Sequence, residues 1–238
     1  MNNPPLTTMN SMTTMTSRPD IYAKVHRGLR ASLFNLSTLV GRTDFLDDNE
    51  VGAMRAAARD VLYFLHEHGV NEERWVLSIL EAKVPSAADH DHESHVRIEA
   101  EVAALEQSLD DVAKMKASDE RRLAGERLYH QYNRFLSGYL LHMEEEEVAT
   151  TAMLHAYCSD DELRGITASI MQNSAPEDLE MALRAFMPHI DSKLRIAFVS
   201  EVAATAPPHV LRWMLDSARE TLVEKEYTIL CEALAIEA

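Results

Sequence analysis

The chain has 238 residues and a net charge of −16, with 23 Lys and Arg against 39 Asp and Glu. That balance excludes nucleic acid as a partner, because no basic patch exists to displace counterions from a phosphate backbone. Only 7 glycines and 8 prolines punctuate the chain, and hairpin signals are nearly absent, so an all-α protein is expected.

Residues 1–18, MNNPPLTTMNSMTTMTSR, lack an apolar core of signal-peptide length and read as a disordered tail. A first helix is predicted after Pro19-Asp20, running to about Val40 with Gly41 as its stop. Its apolar stripe is Ile21, Val25, Leu29, Leu33 and Leu36, and His26 sits at the inner edge. The second helix is predicted from about Glu50 to Lys83, before Pro85, with Val61, Leu62, Leu65, His68, Glu72, Trp75, Ile79 and Leu80 on the stripe. Gly69 beside His68 suggests close helix packing there, or equally a local distortion. The third helix opens after PSAADHD, and Ile98, Val102, Leu105, Leu109 and Val112 define its core face. Extended backwards, that face reaches His95, with His92 one turn earlier. The fourth runs from Ser118 to about Tyr157 and carries Leu128, Tyr132, Phe135, Tyr139, His142 and Glu146.

Four long amphipathic helices with short links predict an up-down-up-down four-helix bundle over residues 19–157. Residues 158–238 form a C-terminal helical extension or subdomain. Ser159 with Glu162, and Ser174 with Glu177, read as capping boxes there. Shorter helices are predicted at about 160–172, 176–187 and 192–204, with a longer one from Pro208. This region packs on the bundle or serves as the surface for a homodimer or a protein partner. No segment approaches a membrane span. Cys158 and Cys231 are too few for a disulfide framework, and the expected location is cytoplasmic.

Chemistry concentrates in the bundle. His68/Glu72 and His142/Glu146 each place a histidine four residues before a glutamate. Residues four apart on a helix differ by about 40° around its axis, so each pair presents a nitrogen and a carboxylate in one direction. The spacing also occurs at His95/Glu99, so position rather than count carries the argument. The candidate metal ligands are His26, His68 with Glu72, His95 or His92, and His142 with Glu146, one group from each helix. Imidazole and carboxylate donors suit two non-heme iron ions, with an open position for an exogenous ligand. Five residues rotate a helix by about 140°, which favours Glu146 over Glu147, and Glu72 over Glu73, as ligands. The run Glu144–Glu147 is otherwise read as a solvated face, His66 faces away from His68, and His90 falls in a loop.

The strings HRGLR, HEHGVNEERWVLSILEA, DHESHVRIEAEVAAL and YLLHMEEEE, in that order, resemble the hemerythrin-like, HHE cation-binding family over about residues 20–157. The resemblance implies a non-heme di-iron centre inside a four-helix bundle, with two carboxylates bridging the ions. It also implies dioxygen or nitric oxide as the ligand, or iron itself as what is sensed, for storage, sensing or stress response. The chain departs from oxygen-carrying hemerythrin in its third helix, where His-x-x-x-His is replaced by Asp91 four residues before His95. In the fourth helix, glutamates stand at four and five residues after the histidine. A di-iron redox enzyme (peroxidase, nitric oxide reductase or oxygenase) and an iron- or oxygen-responsive interaction protein are the alternatives. The Glu-x-x-His signature of ferritin-like oxidases is absent from the sequence.

Overall fold

The computed structural model describes residues 18–236, and every regular element among them is helical. Four antiparallel rods make the bundle. The first is α1 (Val25–Arg42), and the second is α2 (Asp48–Asn71), which passes through a π-helical turn, Glu72–Leu77, into α3 (Ser78–Lys83). The third is α4 (Asp89–Lys114), and the fourth is α5 (Asp119–Glu145), which passes through a second π turn, Glu146–Thr150, into α6 (Thr151–Tyr157). Local chemistry sets the starts. Asp47 accepts from the Asn49 and Glu50 amides to open α2, and the Ser118 hydroxyl accepts from the Arg121 amide to open α5. Asp20 instead holds the amides of Tyr22 and Ala23 at 3.0 and 2.9 Å in a separate turn, so α1 begins later than its apolar stripe suggests.

The rods close over one apolar core that includes Leu29, Leu33 and Leu36 of α1, Met54 and Leu62 of α2, Leu105 of α4 and Phe135 of α5. Gly41 does not stop α1, which continues to Arg42; a Cβ there would lie 2.9 Å from the Tyr129 ring. Its role is packing. Gly69 has the opposite surroundings, since a Cβ added to it meets nothing within 4 Å.

Beyond the bundle come α7 (Asp160–Asn173), α8 (Pro176–Phe186), a 3-10 turn, α9 (Ser192–Thr205), α10 (Pro208–Thr221) and α11 (Glu224–Leu234). Ser159 and Glu162 form the expected capping box. Ser174 and Glu177 do not. Pro176 takes the first helical position and makes Ala175 the cap, and the Ser174 hydroxyl turns back to the Ile170 carbonyl at 2.9 Å. The long helix expected from Pro208 is two helices, parted by extended backbone at Leu222 and Val223, and α11 folds back on α9.

The extension has its own core around Leu183, Met187, Val199 and Met214. Buried Arg195 ties it together through the Met187 and Ile190 carbonyls, both at 2.9 Å. It docks on the bundle through α8 against α1. At Gly28 an added Cβ would sit 2.9 Å from backbone atoms of Ala185 and Phe186, so only glycine permits the approach. Arg18 donates to Asp160 at 2.7 Å and fastens the first of the described residues to α7; the rest of the expected disordered tail lies outside the described residues. No helix among the described residues is long and apolar enough to cross a membrane.

Candidate metal centre

Helix facing brings six of the seven candidate ligands together at one end of the bundle. His26 of α1, His68 of α2, Glu72 and Glu146 form one convergent group, and His95 of α4, His142 of α5 and the same two glutamates form another. In each group the donor atoms lie within 4.8 Å of one another. His68 Nε2 stands 3.0 Å from Glu72 Oε1, and His26 Nε2 stands 3.7 Å from that oxygen and 3.5 Å from Glu146 Oε2. Across the centre, His142 Nε2 and His95 Nε2 lie 3.3 and 3.5 Å from Glu146 Oε1, and His95 Nε2 lies 3.4 Å from Glu72 Oε2. Each carboxylate therefore offers one oxygen to each group.

The two halves are near copies. The His26–His68 and His95–His142 ring pairs both have centroids 5.0 Å apart at 79°. The α1–α2 hairpin and the α4–α5 hairpin thus supply equivalent half-sites, and each π turn begins at one of the two shared glutamates. A π turn inserts one residue into the helical register and is frequently found at functional positions. The Thr151 hydroxyl donates to the Glu146 carbonyl at 3.1 Å, meeting one of the acceptors that the looser turn leaves.

The buried polar atoms test whether the site fits metal ions. Glu72 and Glu146 are 3% and 0% exposed, yet all four of their carboxylate oxygens lack a hydrogen-bond donor, as do His95 Nε2 and His142 Nδ1. Two buried carboxylates without donors carry a desolvation cost of several kcal/mol that a cation would offset. Two divalent ions would meet two imidazole nitrogens and two carboxylate oxygens each, a donor set suited to iron or manganese. The donors fit.

Without metal, protons take the place of the ions. Burial works against the charged form of His26 and His95, but a hydrogen bond accepted by Glu147 and the nearby charge of Glu72 raise His26 to about 9. The close carboxylates of Glu146 and Glu72, with the hydrogen bond that Glu73 accepts, raise His95 to about 11. Burial, followed by the charge of Glu72, pushes the Glu146 carboxyl up to about 8. Glu72 goes the other way: burial opposes its ionisation, and the charge of His68 with the close imidazoles of His26 and His95 holds it well below the usual carboxylate range. Burial drives His142 down to about 3 and lowers His68.

His92 stands outside the convergent groups. Its Nδ1 lies 2.6 Å from Glu73, whose other oxygen lies 2.7 Å from His95 Nδ1. Glu147 does the same on the other half, 3.0 Å from His26 Nδ1, while Arg30 holds both of its oxygens. These second glutamates fix the outer nitrogen of one imidazole in each half, so that Nε2 faces inward. Sequence reasoning set them aside as facing away from the ligands. The signal was present in the repeated string His-x-x-x-Glu-Glu.

Other residues resolve simply. Asp91 is buried and accepts from the Thr150 hydroxyl at 2.8 Å. Glu99 pairs with exposed His66 at 2.9 Å, and His90 lies in the first turn of α4, 3.2 Å from Glu145. A solvent groove lined by Leu65, Gly69, Glu73, His95, Tyr139 and His142 leads to the α4–α5 half; the absent side chain of Gly69 keeps that wall open.

Comparison with protein-family models and with curated proteins gives no match. The geometry is what remains: a helical domain with two His/Glu clusters positioned like a hemerythrin-type di-metal site.

Proposed function

We propose that this protein is a cytoplasmic non-heme di-iron protein whose centre binds a small diatomic, dioxygen or nitric oxide, for storage or sensing. The observation that carries the reading is the pair of buried donor sets sharing both carboxylates. Four protein donors per ion leave positions free on an ion that prefers six. Bound ferrous ions supply two electrons and those free positions to a diatomic.

The chain's own residues do the rest. His26 and His68 would hold one ion and His95 and His142 the other, with Glu72 and Glu146 shared between the two donor sets. Glu147 and Glu73 keep the imidazoles of His26 and His95 turned inward. Phe135, Tyr139 and Met143, all buried, keep bulk water from the bundle side of the site. The groove past Gly69 gives a diatomic a route from solvent to the His95–His142 half.

Anaerobic iron loading tests the proposal. Elemental analysis is expected to find about two irons per chain, as a di-iron bundle site implies. The optical spectrum of the reduced protein should change when dioxygen or nitric oxide is admitted. A chain that retains no iron sinks the proposal, and one that holds iron but ignores both gases sinks the diatomic part of it.

A further inference from the structure

A second cavity, of about 180 Å³, lies between the bundle and the C-terminal helices. Its walls are largely apolar, with Phe64 from α2, Leu183 and Phe186 from α8, Phe198 from α9, and Trp213 and Met214 from α10. Its inner end is formed by Tyr22, His68, Glu72 and Val76, so it abuts the half-site opposite the solvent groove. Tyr22 is 1% exposed and its hydroxyl has no partner. The two half-sites are near copies in their donors but not in their surroundings: one faces solvent, the other an apolar chamber built by the extension.

We infer that this chamber is a binding site for a small uncharged apolar molecule, of monocyclic aromatic size, held beside the His68–Glu72 half of the centre. Size and wall chemistry set the class. A dry apolar cavity of about 150 Å³ accommodates benzene, whereas drug-sized ligands need roughly 300 Å³ or more. Charge narrows it further. Glu67 and Asp178 stand among the lining residues and disfavour carboxylates. Lys24 is not free to attract them, because its ammonium lies over the Phe198 ring at 5.2 Å. The site does not depend on the identity of the metal, and a guest there would control what else reaches that half of the centre.

The test uses the full chain carrying Trp75→Phe, so that the fluorescence of Trp213 in the cavity wall reports alone. Benzene, toluene and indane are titrated into metal-free and zinc-loaded protein, with anthracene as an oversized probe. Saturable one-to-one quenching by the monocyclic probes, without a saturable response to anthracene, is expected in both metal states. Thr167→Phe and Ser174→Leu each add bulk at a half-buried lining position, and each should weaken binding at least about tenfold. Circular dichroism and zinc content verify that both variants fold. A linear, unsaturable response overturns the inference, and so does unchanged affinity in a folded variant. Because the metal-free chain is titrated, failure of iron loading leaves this result standing, and the converse also holds.

Discussion

Glu147→Gln and Glu73→Gln should address the two halves of the centre separately. Glu147 lies 3.0 Å from His26 Nδ1 and Glu73 lies 2.7 Å from His95 Nδ1, and neither touches the other half's imidazoles. Loss of an outer carboxylate from a metal-binding imidazole typically costs ten- to a hundredfold in affinity. The amide keeps one hydrogen bond but loses the charge, and a charge-assisted bond is roughly twice as strong as a neutral one. Both glutamates are about one-third exposed, which screens the charge further. The expectation is therefore the lower end, about tenfold or about 1.4 kcal/mol, on one half only. The assay is anomalous diffraction from crystals loaded with one equivalent of zinc. In Glu147→Gln the ion should move to the His95–His142 set, and in Glu73→Gln to the His26–His68 set. The same distribution in both variants would refute the claim that each carboxylate orients its own half.

Three further outcomes follow from the geometry. Glu72→Gln or Glu146→Gln removes a charge that both donor sets share, so elemental analysis should find metal content below about one ion per chain; two ions retained would contradict the bridging role. The metal-free chain should melt lower as pH rises from 6.5 to about 9. The stability from His26 and His95, raised to about 9 and about 11, is complete below the ordinary imidazole value and is lost as pH climbs through the folded ones. Glu146, raised to about 8, acts in the same sense because the folded chain holds a proton the unfolded carboxyl has released. Metal displaces those protons, so affinity should weaken as pH falls and loading at pH 7 should release them into the buffer; a metal-free melting point that climbs over the same window would overturn the assignment. Gly28→Ala forces a Cβ to within 2.9 Å of the α8 backbone and should cost about 1–3 kcal/mol, lowering the melting temperature by about 2–4 °C for each kcal/mol. An unchanged melting curve would show that α8 does not pack on α1 as tightly as described.

The convergence of six of the seven candidate ligands was legible because helix periodicity is a local property of sequence. His68 and Glu72 share a face wherever their helix lies, and the apolar stripe says which way that face turns. Pairing across the bundle added only the direction of each inward stripe. The π turns were not legible, since nothing in EERWVL or EEVAT forbids an ordinary helix. Their effect is still measurable in the burial pattern. An uninterrupted helix placed Trp75 and Ile79 on the core stripe beside Leu80; in the structure Val76, Leu77 and Leu80 are buried, and Trp75 and Ile79 are only half-buried. The stripe has slipped by one residue, as a one-residue insertion into the register requires.

That slip explains how two successive glutamates can both serve the centre. On the inner side of each π turn Glu72 and Glu146 bridge the halves. Their neighbours Glu73 and Glu147, about 100° further round, meet an imidazole on the adjacent hairpin rather than solvent. Each hairpin therefore supplies a bridge to the shared centre and an orienting carboxylate to the other hairpin. Reciprocity of this kind means that neither half-site is complete until both hairpins have docked. The cost of two buried, donorless carboxylates then falls on the assembled bundle alone. A bundle strained in this way would be stabilised by whatever cation fills it, so metal binding is thermodynamically linked to closure of the four helices.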